Sequence, residues 1–126
     1  MHAHGIDIIE ISRIGKAVDT WGERFLNRIY TAGEIEYCRG RAPELAARFA
    51  GKEAVMKALG TGHVGISPHD IEILSSQKGA PIVHLKGSAQ ARAEEIGLDH
   101  LTITISHSRD YAVASVVGGM NENRNC

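Results

Sequence analysis

The segment from Pro43 to Leu59 constrains the fold more than any other, because it reads as one long helix. Pro43 suits a first helical turn, where its missing N–H has no intrahelical role, and Gly60 is well placed to close the last turn. Leu45, Phe49, Met56 and Gly60 share one face of that helix, and Glu53 fills the gap between Phe49 and Met56. A second carboxylate is equally out of place. Gly5 to Ile11 (GIDIIEI) reads as a β-branched strand, in which Asp7 shares a face with Ile9 and Ile11. Ionised carboxylates among such neighbours need a cation or several donors to offset their desolvation.

The remaining periodicity predicts an α+β domain in which a small antiparallel sheet packs with one long and several short helices. Ser12 is the expected N-cap of a helix over Arg13 to about Thr20, and Thr31 to Glu34 has capping-box spacing. Ile71 to Ser75 and Pro81 to Lys86 flank Gln77-Lys78-Gly79-Ala80 as a hairpin, and Ser88 to Ile96 is a short helix closed by Gly97. Leu101, Ile103 and Ile105 alternate with Thr102, Thr104 and Ser106, and Tyr111 to Val117 is the return strand. Residues 1–118 are expected to form a single domain, with 119–126 a loose tail.

With 126 residues, 43% hydrophobic and 23% charged, the composition is that of a globular protein rather than a disordered one. Fourteen basic and fifteen acidic residues give a net charge of −1, so no nucleic-acid partner is expected. No apolar run has the roughly 18–20 residues of a membrane span, so no membrane partner is expected either, and the start lacks a signal-peptide pattern. Cys38 and Cys126 form no disulfide framework, which points to free thiols and a cytoplasmic address.

Three groupings carry chemistry. Asp7 and Glu53 are candidate ligands of a hard divalent cation, since magnesium usually takes one or two protein carboxylates and completes its shell with water and phosphate oxygens. The bland alternative is that Asp7 caps a loop while Glu53 pairs with Lys52, Lys57 or Arg48. Those three cations, with Gly60-Thr61-Gly62 after the helix, could neutralise and cradle a phosphate, although a solvated face and a simple C-cap describe them equally well. Ser106-His107-Ser108 at a strand end could line a pocket, and by itself reads as a polar hairpin tip. The histidines lack the spacing of a zinc site. Residues 11–30 carry Arg13, Lys16, Arg24 and Arg28 against only Asp19 and Glu23, a face suited to solvent or to an acidic protein.

The runs GIDIIEISRI (5–14), RFAGKEAVMKALGTG (48–62) and ISHS (105–108) resemble the holo-acyl-carrier-protein synthases, the short bacterial type of 4′-phosphopantetheinyl transferase. DIEI (70–73), GAP (79–81) and YAVA (111–114) match in order, so the resemblance covers about residues 4–117. It implies transfer of the phosphopantetheine arm of coenzyme A to a serine of apo-acyl carrier protein, with release of adenosine 3′,5′-bisphosphate, in support of fatty acid biosynthesis. It further implies a homotrimer with active sites between protomers. The implied metal ligands are Asp7 and Glu53, for Mg²⁺ with Mn²⁺ as an alternative, and the implied catalytic residues are Glu53 and Lys57. Glu53 acts as base either directly or through a metal-bound water, and that choice stays open.

The resemblance places coenzyme A contacts at Arg48, Lys52, Lys57, Gly60, Thr61 and His107, and Arg13, Arg24 and Arg28 at the acyl carrier protein. Gly51 departs from the family's usual alanine, and Ser67-Pro68-His69 from its more aromatic segment. Two readings from other classes are a magnesium-dependent phosphohydrolase of a small nucleotide and a non-catalytic domain that binds coenzyme A or an acidic protein.

Overall fold

The computed structural model describes residues 2–60 and 65–120. In chain order it has β1 (His2–Glu10), α1 (Ile11–Trp21), α2 (Glu23–Ile29), α3 (Ala32–Cys38) and α4 (Ala42–Leu59). A 3₁₀ turn (Pro68–Asp70) then leads into β2 (Ile71–Ser75), β3 (Pro81–Leu85), α5 (Gly87–Ile96), β4 (Leu98–His107) and β5 (Tyr111–Met120). The α+β expectation holds, with two antiparallel sheets rather than one: β1-β5-β4, and the separate hairpin β2-β3.

The long helix forms as predicted, with Gly60 in the left-handed conformation at its C-cap. Thr31 and Glu34 make the capping box in both directions. Ser12 is not an N-cap. The β1–β5 ladder runs to the pair Glu10↔Tyr111, and the next amide, Ile11 N–H, donates to Asp110 O at 2.8 Å. The strand therefore passes straight into α1, whose N-cap is Glu10. The expected return strand extends three residues further, through Met120, because Gly118 and Gly119 still pair with β1 and β4. Residues 121–126, most of the expected tail, lie outside the described residues. Helix α2 was not anticipated. Phe25, Leu26 and Ile29 pack from it onto the core, and Gly22 with φ +54° turns the chain sharply out of α1.

Helix α4 lies across the inner face of the three-stranded sheet. Its small residues Ala46, Ala50, Ala54 and Ala58 are buried, as are Ala112, Ala114 and Val116 of β5 and Ile103 of β4. Gly5 of β1 makes this close approach possible. A Cβ there would meet Ala54 O at 2.1 Å and Ala58 N at 2.9 Å, backbone atoms that cannot yield. Near the other end of the crossing Gly51 sits under Ile73 and Ile103.

One buried ion pair ties the helices to the hairpin. Lys52 Nζ lies 2.7 Å from Glu34 Oε1 and donates to the carbonyls of Pro68 and Ile71. Glu34 also accepts from Thr31 N–H at 2.9 Å and from Ile73 N–H at 2.8 Å, so no charged atom of the pair is left without partners. Burial pulls the Lys52 pKa below the ordinary lysine value, against the pull of Glu34. Cys38 is a free thiol, pushed up to about 11 by burial.

Candidate active site

Two polar clusters form where α4 crosses the sheet. At the β1 side, Lys57 Nζ donates to Ile6 O at 2.9 Å and to Asp7 Oδ1 at 3.1 Å. Glu53 precedes Lys57 by one helical turn on α4, a spacing that puts the two on the same side of the helix. Asp7 and Glu53 are both partly exposed, and the Lys57 ammonium faces solvent. Two carboxylates beside an open, solvated corner suit a hard cation that keeps water and phosphate oxygens in its shell, so the donor set fits magnesium.

The second cluster lies at the other end of the crossing. A cleft of about 230 Å³ is lined by Arg48 and Glu44 of α4, Ser75 of β2, Pro81 at the start of β3, and Ser106 and His107 of β4. Arg48 is 3% exposed, yet it lines the cleft. It donates from Nη1 to Glu44 Oε2 at 2.9 Å, from Nη2 to Ser75 Oγ at 3.1 Å and from Nε to Ile73 O at 3.3 Å. His107 Nε2 stands 3.9 Å from the other oxygen of Glu44. An arginine, an imidazole and two hydroxyls around one opening can hold an anionic, hydroxyl-bearing ligand.

The structure thus joins Asp7 with Lys57, and Arg48 with His107, in two separate places, with Glu53 one helical turn before Lys57 on α4. Arg48 and Lys57 are nine residues apart on α4, about 13 Å along its axis. Two expectations need correction or restriction. Lys52 is 2% exposed and its ammonium is enclosed by Glu34 and two carbonyls, so it cannot reach a ligand. It faces the core because α4 packs on two sides, which spacing along one helix does not reveal. Thr61 lies outside the described residues, while Gly60 ends α4 beside Arg92, whose Nη2 would be 3.6 Å from a Cβ at that position.

Arg13, Arg24 and Arg28 are all exposed on α1 and α2. Arg24 and Arg28 share a recess of about 340 Å³ with Trp21 and Phe25. Sequence reasoning passed over Glu44 and Tyr37. Glu44 precedes Arg48 by four residues, a spacing that signals an ion pair.

Comparison with known proteins fits this geometry. Residues 3–116 match the family model of the 4′-phosphopantetheinyl transferase superfamily. The chain belongs to this superfamily. Within it, a holo-[acyl-carrier-protein] synthase of Halothermothrix orenii is 48% identical over 117 residues, spanning 90% of this chain and 94% of the relative. The crystal structure of the Helicobacter pylori holo-[acyl-carrier-protein] synthase in complex with coenzyme A superposes with a TM-score of 0.85 at 36% identity, covering 92% of this chain and 99% of that one. The Bacillus anthracis enzyme in complex with CoA (3′,5′-ADP) gives a TM-score of 0.78 at 35% identity, covering 94% and 96%. The resemblance read from the three sequence blocks is borne out.

Proposed function

We propose that this chain transfers the 4′-phosphopantetheine group of coenzyme A to a serine of apo-acyl carrier protein, releasing adenosine 3′,5′-bisphosphate. The observation that carries this reading is the pair of clusters on one helix, within a fold shared with synthases solved with coenzyme A. A phosphoryl-transfer corner with two carboxylates and a lysine stands apart from a cleft suited to the nucleotide end.

Asp7 and Glu53 would hold Mg²⁺, which when bound would supply charge neutralisation at the pyrophosphate. The serine hydroxyl attacks the phosphorus bearing the pantetheine arm, and its proton passes to Glu53, directly or through a water. The new P–O bond forms as the pyrophosphate P–O bond breaks, and Lys57 stabilises the departing phosphate. Arg48 and His107 hold the nucleotide.

The arginines at 13, 24 and 28 meet the acidic carrier, which steers association through complementary charge. The chain acts as a homotrimer. Ile6 and Ile8 are 60% and 63% exposed on the outer face of the sheet, where Val117 and Tyr111 join them, and such an apolar face marks an interface. Assembly there lets one protomer's nucleotide cleft serve a neighbour's metal corner. No helix among the described residues is long and apolar enough to cross a membrane.

The test follows nucleotide release from coenzyme A by chromatography, with and without apo-carrier. Release that requires both carrier and Mg²⁺ is the expected result. Release without carrier indicates a phosphohydrolase, and metal-indifferent binding without product indicates a non-catalytic domain.

A further inference from the structure

Tyr37, at the end of α3, is 40% exposed although its ring is large and largely apolar. It lines the nucleotide cleft, and the Arg48 guanidinium carbon sits 4.5 Å from its ring centroid, within cation–π distance. Arg41 approaches the same ring at 5.6 Å. Arg48 is held at its edges as well. Glu44, Ser75 and the Ile73 carbonyl take three of its five N–H donors, which leaves one on each terminal nitrogen. A guanidinium backed by a ring and fixed at three donors presents its remaining donors in one orientation, with His107 beside them across Glu44.

We propose that Tyr37 is a positioning residue for nucleotide recognition. Its ring face holds the Arg48 plane so that the two remaining N–H donors meet the phosphate on the ribose of coenzyme A. The inference rests on the reading of this cleft as the nucleotide site, and it assigns Tyr37 no contact with the reacting atoms. The ring face does the positioning, so the hydroxyl has no part in it.

Steady-state kinetics of wild type, Tyr37→Leu and Tyr37→Phe, with coenzyme A and with dephospho-coenzyme A, test the proposal. Tyr37→Leu should raise KM for coenzyme A about tenfold, the equivalent of losing a desolvated cation–π contact. Its kcat, its KM for the carrier and its KM for dephospho-coenzyme A should stay within about twofold of wild type. Tyr37→Phe should behave as wild type. An unchanged KM in Tyr37→Leu overturns the proposal, as does an equal rise for both forms of coenzyme A, or a Phe variant as impaired as the Leu variant. His107→Ala separates this failure from failure of the site itself. If His107→Ala also leaves the KM for coenzyme A unchanged, the nucleotide does not bind in this cleft at all.

Discussion

Asp7 and Lys52 show how differently two charged side chains in core-facing positions are used. Asp7 is met through Oδ1 by Lys57, whose side chain is half exposed, at an open corner. Replacing Asp7 or Glu53 with Ala should lower turnover by at least about a hundredfold, the scale of losing a preorganised electrostatic contact in a transition state. The fold, followed by circular dichroism, should be unchanged in both variants, and near-wild-type turnover in either removes that residue from the site. Lys52 has the opposite character. Lys52→Met leaves the Glu34 carboxylate buried without its cation and should cost about 3–5 kcal/mol in urea unfolding. Lys52→Met with Glu34→Gln should cost less than the sum of the two single changes, because the shared charge is then gone from both sides. Additive costs would mean that the pair is not coupled.

Among the elements, α4 carries most of the design, and its contacts are close enough for single methyl groups to matter. A Cβ at Gly51 would lie 2.4 Å from Ile73 Cδ1 in a filled core. Gly51→Ala should therefore destabilise by about 1–3 kcal/mol despite the better helix propensity of alanine. Ile73→Val removes that δ-methyl, and in the double variant the alanine should become neutral or stabilising. A stabilising single Gly51→Ala would show that Ile73 simply moves aside. The 3₁₀ turn and α5 are linked by Asp70, whose Oδ2 accepts from the Ser88 hydroxyl at 2.6 Å and its N–H at 2.8 Å. The hydroxyl, then the amide, holds the Asp70 pKa below the ordinary carboxylate value. A depressed carboxylate pKa contributes stability above the unfolded pKa and loses it as pH falls through the folded one. The stability difference between wild type and Ser88→Ala should thus be full near neutrality and narrow below about pH 4. A pH-independent difference would contradict the link.

The same elements show what was legible in the sequence. Local signals with one physical meaning were readable: the Thr31–Glu34 capping box, the glycines closing α4 and α5, and the alternation of β4. Asp7 and Glu53 stood out because a carboxylate among aliphatics has a cost that any fold must meet. Lys52 was misread because its burial depends on α3 and β2 arriving from distant parts of the chain. Tyr37 and the need for glycine at position 5 were invisible for the same reason, since each is set by a surface supplied from elsewhere.

At the scale of the whole molecule, the two clusters and the apolar outer face of the sheet make assembly and activity a single question. Ile8→Lys places a charge on that face without touching α4 or Asp7. If the proposed trimer assembles through this face, the change should give a monomer in light scattering and lower turnover sharply, while the monomer remains folded. A monomeric variant with full activity would show that each chain carries a complete site.

The central claim is group transfer, and intact-mass spectrometry of apo-acyl carrier protein tests it most directly. The carrier is incubated with this protein, coenzyme A and Mg²⁺, beside an EDTA control and the Asp7→Ala variant. The account predicts a gain of one phosphopantetheine group in the complete mixture and none in the two controls. An unmodified carrier, with folded protein and a carrier that another transferase can load, would contradict it.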